Sequence, residues 1–152
     1  MTTLPQEYRA YLARAVALSR EHMQAGEGGP FGAVIVRHGR ILAEGWNQVT
    51  STNDPTAHAE VVAIRRACAA VDTFALEGAA LYASCEPCPM CLASAYWARI
   101  SRIVYANTRD QARRSASTTP SSMTRCRSDR PSASCRCSMR LPTRPRPSSA
   151  IG

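Results

Sequence analysis

Pro55-Thr56-Ala57-His58-Ala59-Glu60 and Glu86-Pro87-Cys88-Pro89-Met90-Cys91 are the two runs from which the rest of the chain is read. Together they supply one imidazole and two thiols, a donor set that suits zinc and leaves the fourth tetrahedral position to water. An open position makes such a site catalytic rather than structural. Glu60, two residues after His58, can reach that water without ligating the metal.

The spacing within each run says how it must be held. Cys88 and Cys91 are three apart and share one face of a helix. His58 and Glu60 are two apart and converge only at a helix mouth, where side chains lean toward the N-terminus. Both runs carry the proline of a helix start. Asp54 as N-cap and Pro55 as first helical residue predict a helix to about residue 71, with Val61, Ile64, Cys68 and Val71 on one stripe and Arg65 and Arg66 toward solvent. Pro87 and Pro89 open a second helix, expected to carry both cysteines and to continue through Tyr96 and Trp97. Two helix N-termini facing one point favour thiolate and hydroxide by roughly 0.3 to 1 kcal/mol each.

Outward from these runs, residues 5–25 place Tyr8, Leu12, Ala15, Val16, Ser19 and Met23 at helical spacing, ending at Gly26. After the breaker Gly28-Gly29-Pro30, residues 31–36 run apolar without alternation, as a strand covered on both faces would. A turn at His38-Gly39 leads to a second strand over 41–49, and Thr50 to Pro55 reads as a polar loop. Residues 79–84 and 101–106 read as third and fourth strands. The order helix, strand, strand, helix, strand, helix, strand predicts a mixed sheet sandwiched by helices, an α/β architecture.

The chain of 152 residues suits one domain. It shows no secretory leader pattern and no apolar run near 18 residues, so a cytoplasmic protein without membrane segments is expected. Cys88 and Cys91 sit in C-x-x-C with a partner histidine, which in a reducing compartment means metal rather than disulfide. The net charge of +8 invites a nucleic-acid reading, but residues 1–112 hold ten arginines and ten acidic residues, while 113–152 hold nine arginines and only Asp129. All the excess charge lies in the tail.

Several residues have a plainer reading. Cys68 and Cys85 are expected to be structural, and Trp46, Tyr96 and Trp97 to belong to the core before they touch any substrate. Phe31 is first a buried strand residue and second a stacking surface. Asn47 at a strand end is equally a turn residue and a substrate contact.

H-x-E followed by P-C-x-x-C is the general pattern of zinc-dependent nucleobase deaminases. Gly29-Pro30-Phe31-Gly32-Ala33-Val34, Asn47, Asn53-Asp54-Pro55-Thr56-Ala57-His58-Ala59-Glu60, Ser84-Cys85-Glu86-Pro87-Cys88-Pro89-Met90-Cys91 and Tyr96-Trp97-Ala98-Arg99 resemble the bacterial guanine deaminases of the cytidine deaminase-like superfamily. The resemblance covers roughly residues 8–110. It implies a three-layer α/β/α sandwich with a mixed sheet, Zn2+ on His58, Cys88 and Cys91, and Glu60 as proton shuttle. It further implies that Asn47, Phe31 and Ala57 bind the base, that guanine goes to xanthine and ammonia, and that the protein is a homodimer. The nearest alternative is the tRNA adenosine deaminase branch, or a cytidine- or cytosine-type deaminase; Phe31, Pro89 and Tyr96-Trp97 favour the guanine branch. A reading of another class is an inactive nucleic-acid-binding protein with a basic tail.

The composition divides the chain into a deaminase domain at 1–112 and a tail at 113–152, rich in Arg, Ser and Pro, that cannot bury enough surface to fold by itself. Guanine deaminases continue past the fourth strand with an acidic, aromatic segment that closes the pocket. With permitted codons, DNA for Arg113 to Ser128 read two bases later encodes AIGFDDAFIYDEVPI, which resembles that segment. The tail is therefore expected to be out of frame, with a natural disordered basic tail as the alternative, and the 152-residue chain to have weak or no activity. Sequencing the coding DNA across codon 113 checks this: an uninterrupted frame in the genuine gene would sink the frameshift reading.

Overall fold

The computed structural model describes residues 5–115 and 138–140. Helix α1 (Gln6–Gln24) leads into strands β1 (Gly32–Arg37) and β2 (Arg40–Trp46), a single turn α2 (Val49–Thr52) and helix α3 (Ala59–Ala70). Strand β3 (Ala80–Cys85), helix α4 (Pro89–Trp97), strand β4 (Arg102–Asn107), helix α5 (Arg109–Ser115) and strand β5 (Ser138–Arg140) follow. The strands lie in the order β2-β1-β3-β4-β5. β3 and β4 are parallel and the other neighbouring pairs antiparallel, so the sheet is mixed.

Strand β1 explains the layers. Successive side chains on a strand point to opposite faces. Val34 and Val36 pack with Leu12, Ala15 and Leu18 of α1 and with Tyr82 and Val104 of the neighbouring strands. Ala33 and Ile35 face the other way, into a core with Ala59, Ala63 and Ala67 of α3 and Ala95 of α4. The unalternating apolar run is thus a strand with a helix on each side, in the expected α/β/α arrangement. The arginine-bearing side of α3 faces solvent, as its stripe required.

Small residues let α3 lie close on the sheet. A Cβ built on Gly45 would stand 2.4 Å from the Ala59 carbonyl oxygen and 2.5 Å from the Ala63 nitrogen. α1 is tied to the same strand from the other side of the sheet, where the Arg14 guanidinium donates to both Glu44 carboxylate oxygens at 2.7 and 2.9 Å.

The boundaries differ from the sequence reading in informative places. β2 ends at Trp46, and Val49 opens α2 where the sequence suggested the end of a strand and a loop. The helix expected from Pro55 begins at Ala59. Asp54 is the reason: its Oδ1 accepts hydrogen bonds from the Thr56 N–H and hydroxyl at 2.8 and 2.6 Å, closing a local turn instead of capping a helix. Likewise α4 begins at Pro89, so Cys88 stands at the cap rather than inside the helix.

Tyr96 and Trp97 are 37% and 69% exposed, not core residues. α4 has nine residues and buries Cys91 and Ala95, one turn apart; Tyr96 and Trp97 come 100° and 200° further round. α5 runs across residue 112, and Ser138–Arg140 pairs with β4 in register Ile103↔Met139. The rest of the tail, including Cys126, Cys135 and Cys137, lies outside the described residues. Among the described residues no helix is long and apolar enough to cross a membrane.

Gly45→Ala is expected to lower stability by about 2–3 kcal/mol, because the new methyl meets helix backbone that cannot step aside. Urea denaturation measures this; an unchanged midpoint would mean that α3 is not pressed onto β2.

Candidate metal centre

The metal site is built by two helix starts. His58 is the N-cap of α3, with extended backbone (φ −66°, ψ 153°), and its carbonyl accepts the Val62 N–H at 2.9 Å. Cys88 occupies the equivalent place on α4 (φ −72°, ψ 168°), its carbonyl accepting the Leu92 N–H at 2.9 Å. Pro89 follows at the first helical position, where a missing N–H costs nothing. Cys91 then falls in the first turn, fully buried beside Cys88. Each loop end delivers a ligand because the helix behind it is packed on the sheet.

His58 Nδ1 lies 3.6 Å from both the Cys88 and Cys91 sulfurs, and the sulfurs are 3.5 Å apart. With Zn–S near ~2.3 Å and Zn–N near ~2.0–2.1 Å, a tetrahedron has S···N and S···S edges of about 3.6 and 3.8 Å. The donor set therefore fits zinc in both chemistry and spacing. Among the described residues these three form the one His/Cys/carboxylate group close enough to hold an ion.

Protons also show how the site is prepared. Contact with the Cys91 sulfur on one side and with His58 on the other pushes the Cys88 thiol down to about 3, against its burial. Cys91 is pushed up by its contact with Cys88, by burial and by the Glu60 carboxylate.

Glu60 is 8% exposed, with Oε2 at 3.4 Å from the Cys91 sulfur. It stands beside the donors and outside their triangle. Burial pushes its carboxyl up, and this outweighs the hydrogen bonds to its backbone and to Cys91 that favour the ionised form. A carboxyl whose ionised form burial disfavours is suited to taking up a proton and returning it.

Phe31, Asn47 and Ala57 are joined through the backbone. The Asn47 N–H donates to the Phe31 carbonyl at 3.0 Å, and the next residue, Gln48, donates to the Ala57 carbonyl at 2.9 Å. Ala57 directly precedes His58 and is buried, while Phe31 packs partly buried against the core. The three therefore form a strip leading to the metal ligand.

Other supports were invisible in the sequence. The Glu86 carboxylate accepts the Arg109 N–H at 3.2 Å and a guanidinium N–H at 3.2 Å, fastening the cysteine loop to the start of α5. The Asn107 amide donates to the Ser84 carbonyl at 3.1 Å. Ser84 Oγ in turn accepts the Gly32 N–H at 3.0 Å. No spacing rule marks such pairs.

The model of the cytidine and deoxycytidylate deaminase zinc-binding region matches residues 5–107. The chain is 58% identical over 99 residues to the guanine deaminase of Bacillus subtilis, covering 65% of this chain and 64% of that protein. It is 49% identical over 76 residues to the tRNA-specific adenosine deaminase of Agrobacterium fabrum, covering half of each. The crystal structure of the Bacillus subtilis guanine deaminase superposes with a TM-score of 0.70 at 43% identity, covering 86% of this chain and 88% of that one. The matched stretch thus spans 64% and 50% of the length of these two curated relatives. With its His58, Cys88 and Cys91 donors in place, the chain belongs to the cytidine and deoxycytidylate deaminase zinc-binding family.

Proposed function

We propose that the protein is a zinc aminohydrolase acting on a purine base, most specifically guanine, which with water gives xanthine and ammonia. The observation that carries this reading is the buried Glu60 carboxylate beside three donors spaced for zinc. Support for guanine over a tRNA adenosine comes from the higher identity to the Bacillus subtilis guanine deaminase than to the tRNA-specific enzyme.

Bound at His58, Cys88 and Cys91, zinc supplies Lewis acidity that brings the pKa of a water toward ~7. Glu60 Oε2 accepts the proton of the attacking water and delivers it to a ring nitrogen next to the amine-bearing carbon. As the carbon–nitrogen bond breaks, the Glu60 carboxylate takes the proton of the newly added hydroxyl and hands it to the departing amine, leaving a carbonyl and ammonia, so one residue moves both protons. Phe31 offers a face for the heterocycle, Asn47 a hydrogen-bonding amide and Ala57 the backbone beside the metal ligand. By likeness to the guanine deaminases the protein forms a homodimer, which sedimentation would test.

Ammonia release assayed against guanine, cytosine, cytidine and adenosine is expected to show guanine turnover at a low rate. Inosine formation in tRNA without guanine turnover would assign the chain to the other branch. Glu60→Gln is expected to retain zinc and lose at least about 100-fold in kcat; near-normal activity would remove Glu60 from its role. Cys91→Ser is expected to weaken zinc binding by more than ~100-fold, since it deletes a ligand rather than a neighbour of one. Competition with a chelator and metal analysis of the purified variant measure this.

A further inference from the structure

Asn47 follows β2, and its side chain is oriented by one hydrogen bond: Oδ1 accepts the Val49 N–H at 3.2 Å. A backbone N–H only donates, so the carboxamide arm that faces it is the oxygen and the other arm is the NH2. Val49 is the first residue of α2, whose N–H has no partner within the helix. Asn47 supplies the acceptor, and its own donor arm is left for a ligand.

One flank of this carboxamide is closed by the absence of a side chain. A Cβ built on Gly29 would stand 3.3 Å from Asn47 Cγ and 3.4 Å from Oδ1, but an ordinary 3.6 Å from Asn47 Cβ. Gly29 is not among the glycines with positive φ, so its backbone permits alanine. What the glycine supplies is space. Gly28 is different: a Cβ there would lie 1.7 Å from the Asn47 carbonyl oxygen, a backbone collision that would obstruct folding.

We propose that Gly29 is a positioning residue, which by lacking a side chain lets the Asn47 carboxamide lie against it with its oxygen on Val49 and its NH2 toward the base. The inference rests on Asn47 being a base contact, as in the function proposed above, and adds a residue whose missing side chain leaves room for the Asn47 carboxamide, while its carbonyl accepts the Phe31 N–H at 2.8 Å. The site then tests its ligand for an acceptor, a carbonyl oxygen or an unprotonated ring nitrogen, at the point the NH2 reaches. A methyl at position 29 displaces the carboxamide by a few tenths of an ångström, which strains the Val49 bond and turns the NH2 away.

The test is Gly29→Ala in the zinc-loaded 152-residue protein, made alone and together with Asn47→Ala. Nuclear magnetic resonance of the Val49 amide is the readout that needs no activity. Its exchange with solvent is expected to become roughly fivefold faster or more, with an upfield proton shift, as one hydrogen bond is lost. In steady-state kinetics with guanine, KM is expected to rise several-fold with kcat within about twofold, the pattern of lost uniform binding. In the Asn47→Ala background the same substitution should change neither, because no carboxamide is left to displace. An unmoved Val49 amide, or an equal rise in KM with and without the Asn47 side chain, overturns the proposal. If the 152-residue protein turns over no guanine, as its altered tail allows, the Val49 amide decides for or against Gly29 without the kinetic arm.

Discussion

Three donor atoms within 3.6 Å of one another, drawn from two loops about thirty residues apart, are what the remainder of this fold has to guarantee. Neither loop can do so alone. His58 is placed because α3 lies against β1 and β2, and Cys88 and Cys91 because α4 begins where β3 ends in the centre of the sheet. Ala59, Ala63, Ala67 and Ala95 keep both helices close to the strands, and Gly45 does the same from the sheet side. The ligand geometry is therefore a property of packing, transmitted through two helix caps. Electrostatic help from the helix ends, at roughly 0.3–1 kcal/mol each, is small beside that positional constraint.

The same packing decides what Glu60 can do. A carboxylate in water would stay ionised and make a poor proton donor. Placed in the first turn of α3 and enclosed with Cys91, it loses solvation, and burial outweighs the hydrogen bonds that favour its charge. Its neighbours are arranged in the opposite sense: the thiol pair and His58 favour a thiolate at Cys88. One compact region thus holds an easily protonated carboxyl beside a readily ionised sulfur. Proton transfer and cation binding ask for those two opposed properties.

The parts of this arrangement that were legible in the sequence are those whose chemistry fixes residue type and spacing together. His58, Glu60, Cys88 and Cys91 could be read because few side chains bind zinc and few spacings bring them to one face. The layers could be read because residues 31–36 are apolar without alternation. Helix starts were less legible: Asp54-Pro55 satisfies every local rule for a cap, yet its carboxylate is consumed by Thr56 and the helix waits until Ala59. Tyr96 and Trp97 were misplaced because apolar character suggests burial, whereas angular position on a short helix decides it. β5 gave no signal because an edge strand can be recruited by backbone hydrogen bonds alone. The fit of Gly29 to Asn47 was out of reach for a further reason, since it consists of atoms that are missing.

Of the two tryptophans in the chain, one is well suited to reporting on the segment that follows β2. The Trp46 indole lies flat against the His22 imidazole, ring centres 3.5 Å apart, with the Arg66 guanidinium 4.3 Å from the ring centre. Trp97 is largely in water. The protein therefore carries a built-in pair of chromophores with unlike surroundings, one shielded and attached through the chain to Asn47, the other bathed in solvent. Light emitted by the first is sensitive to any shift of the chain at Asn47, and the second serves as its internal reference.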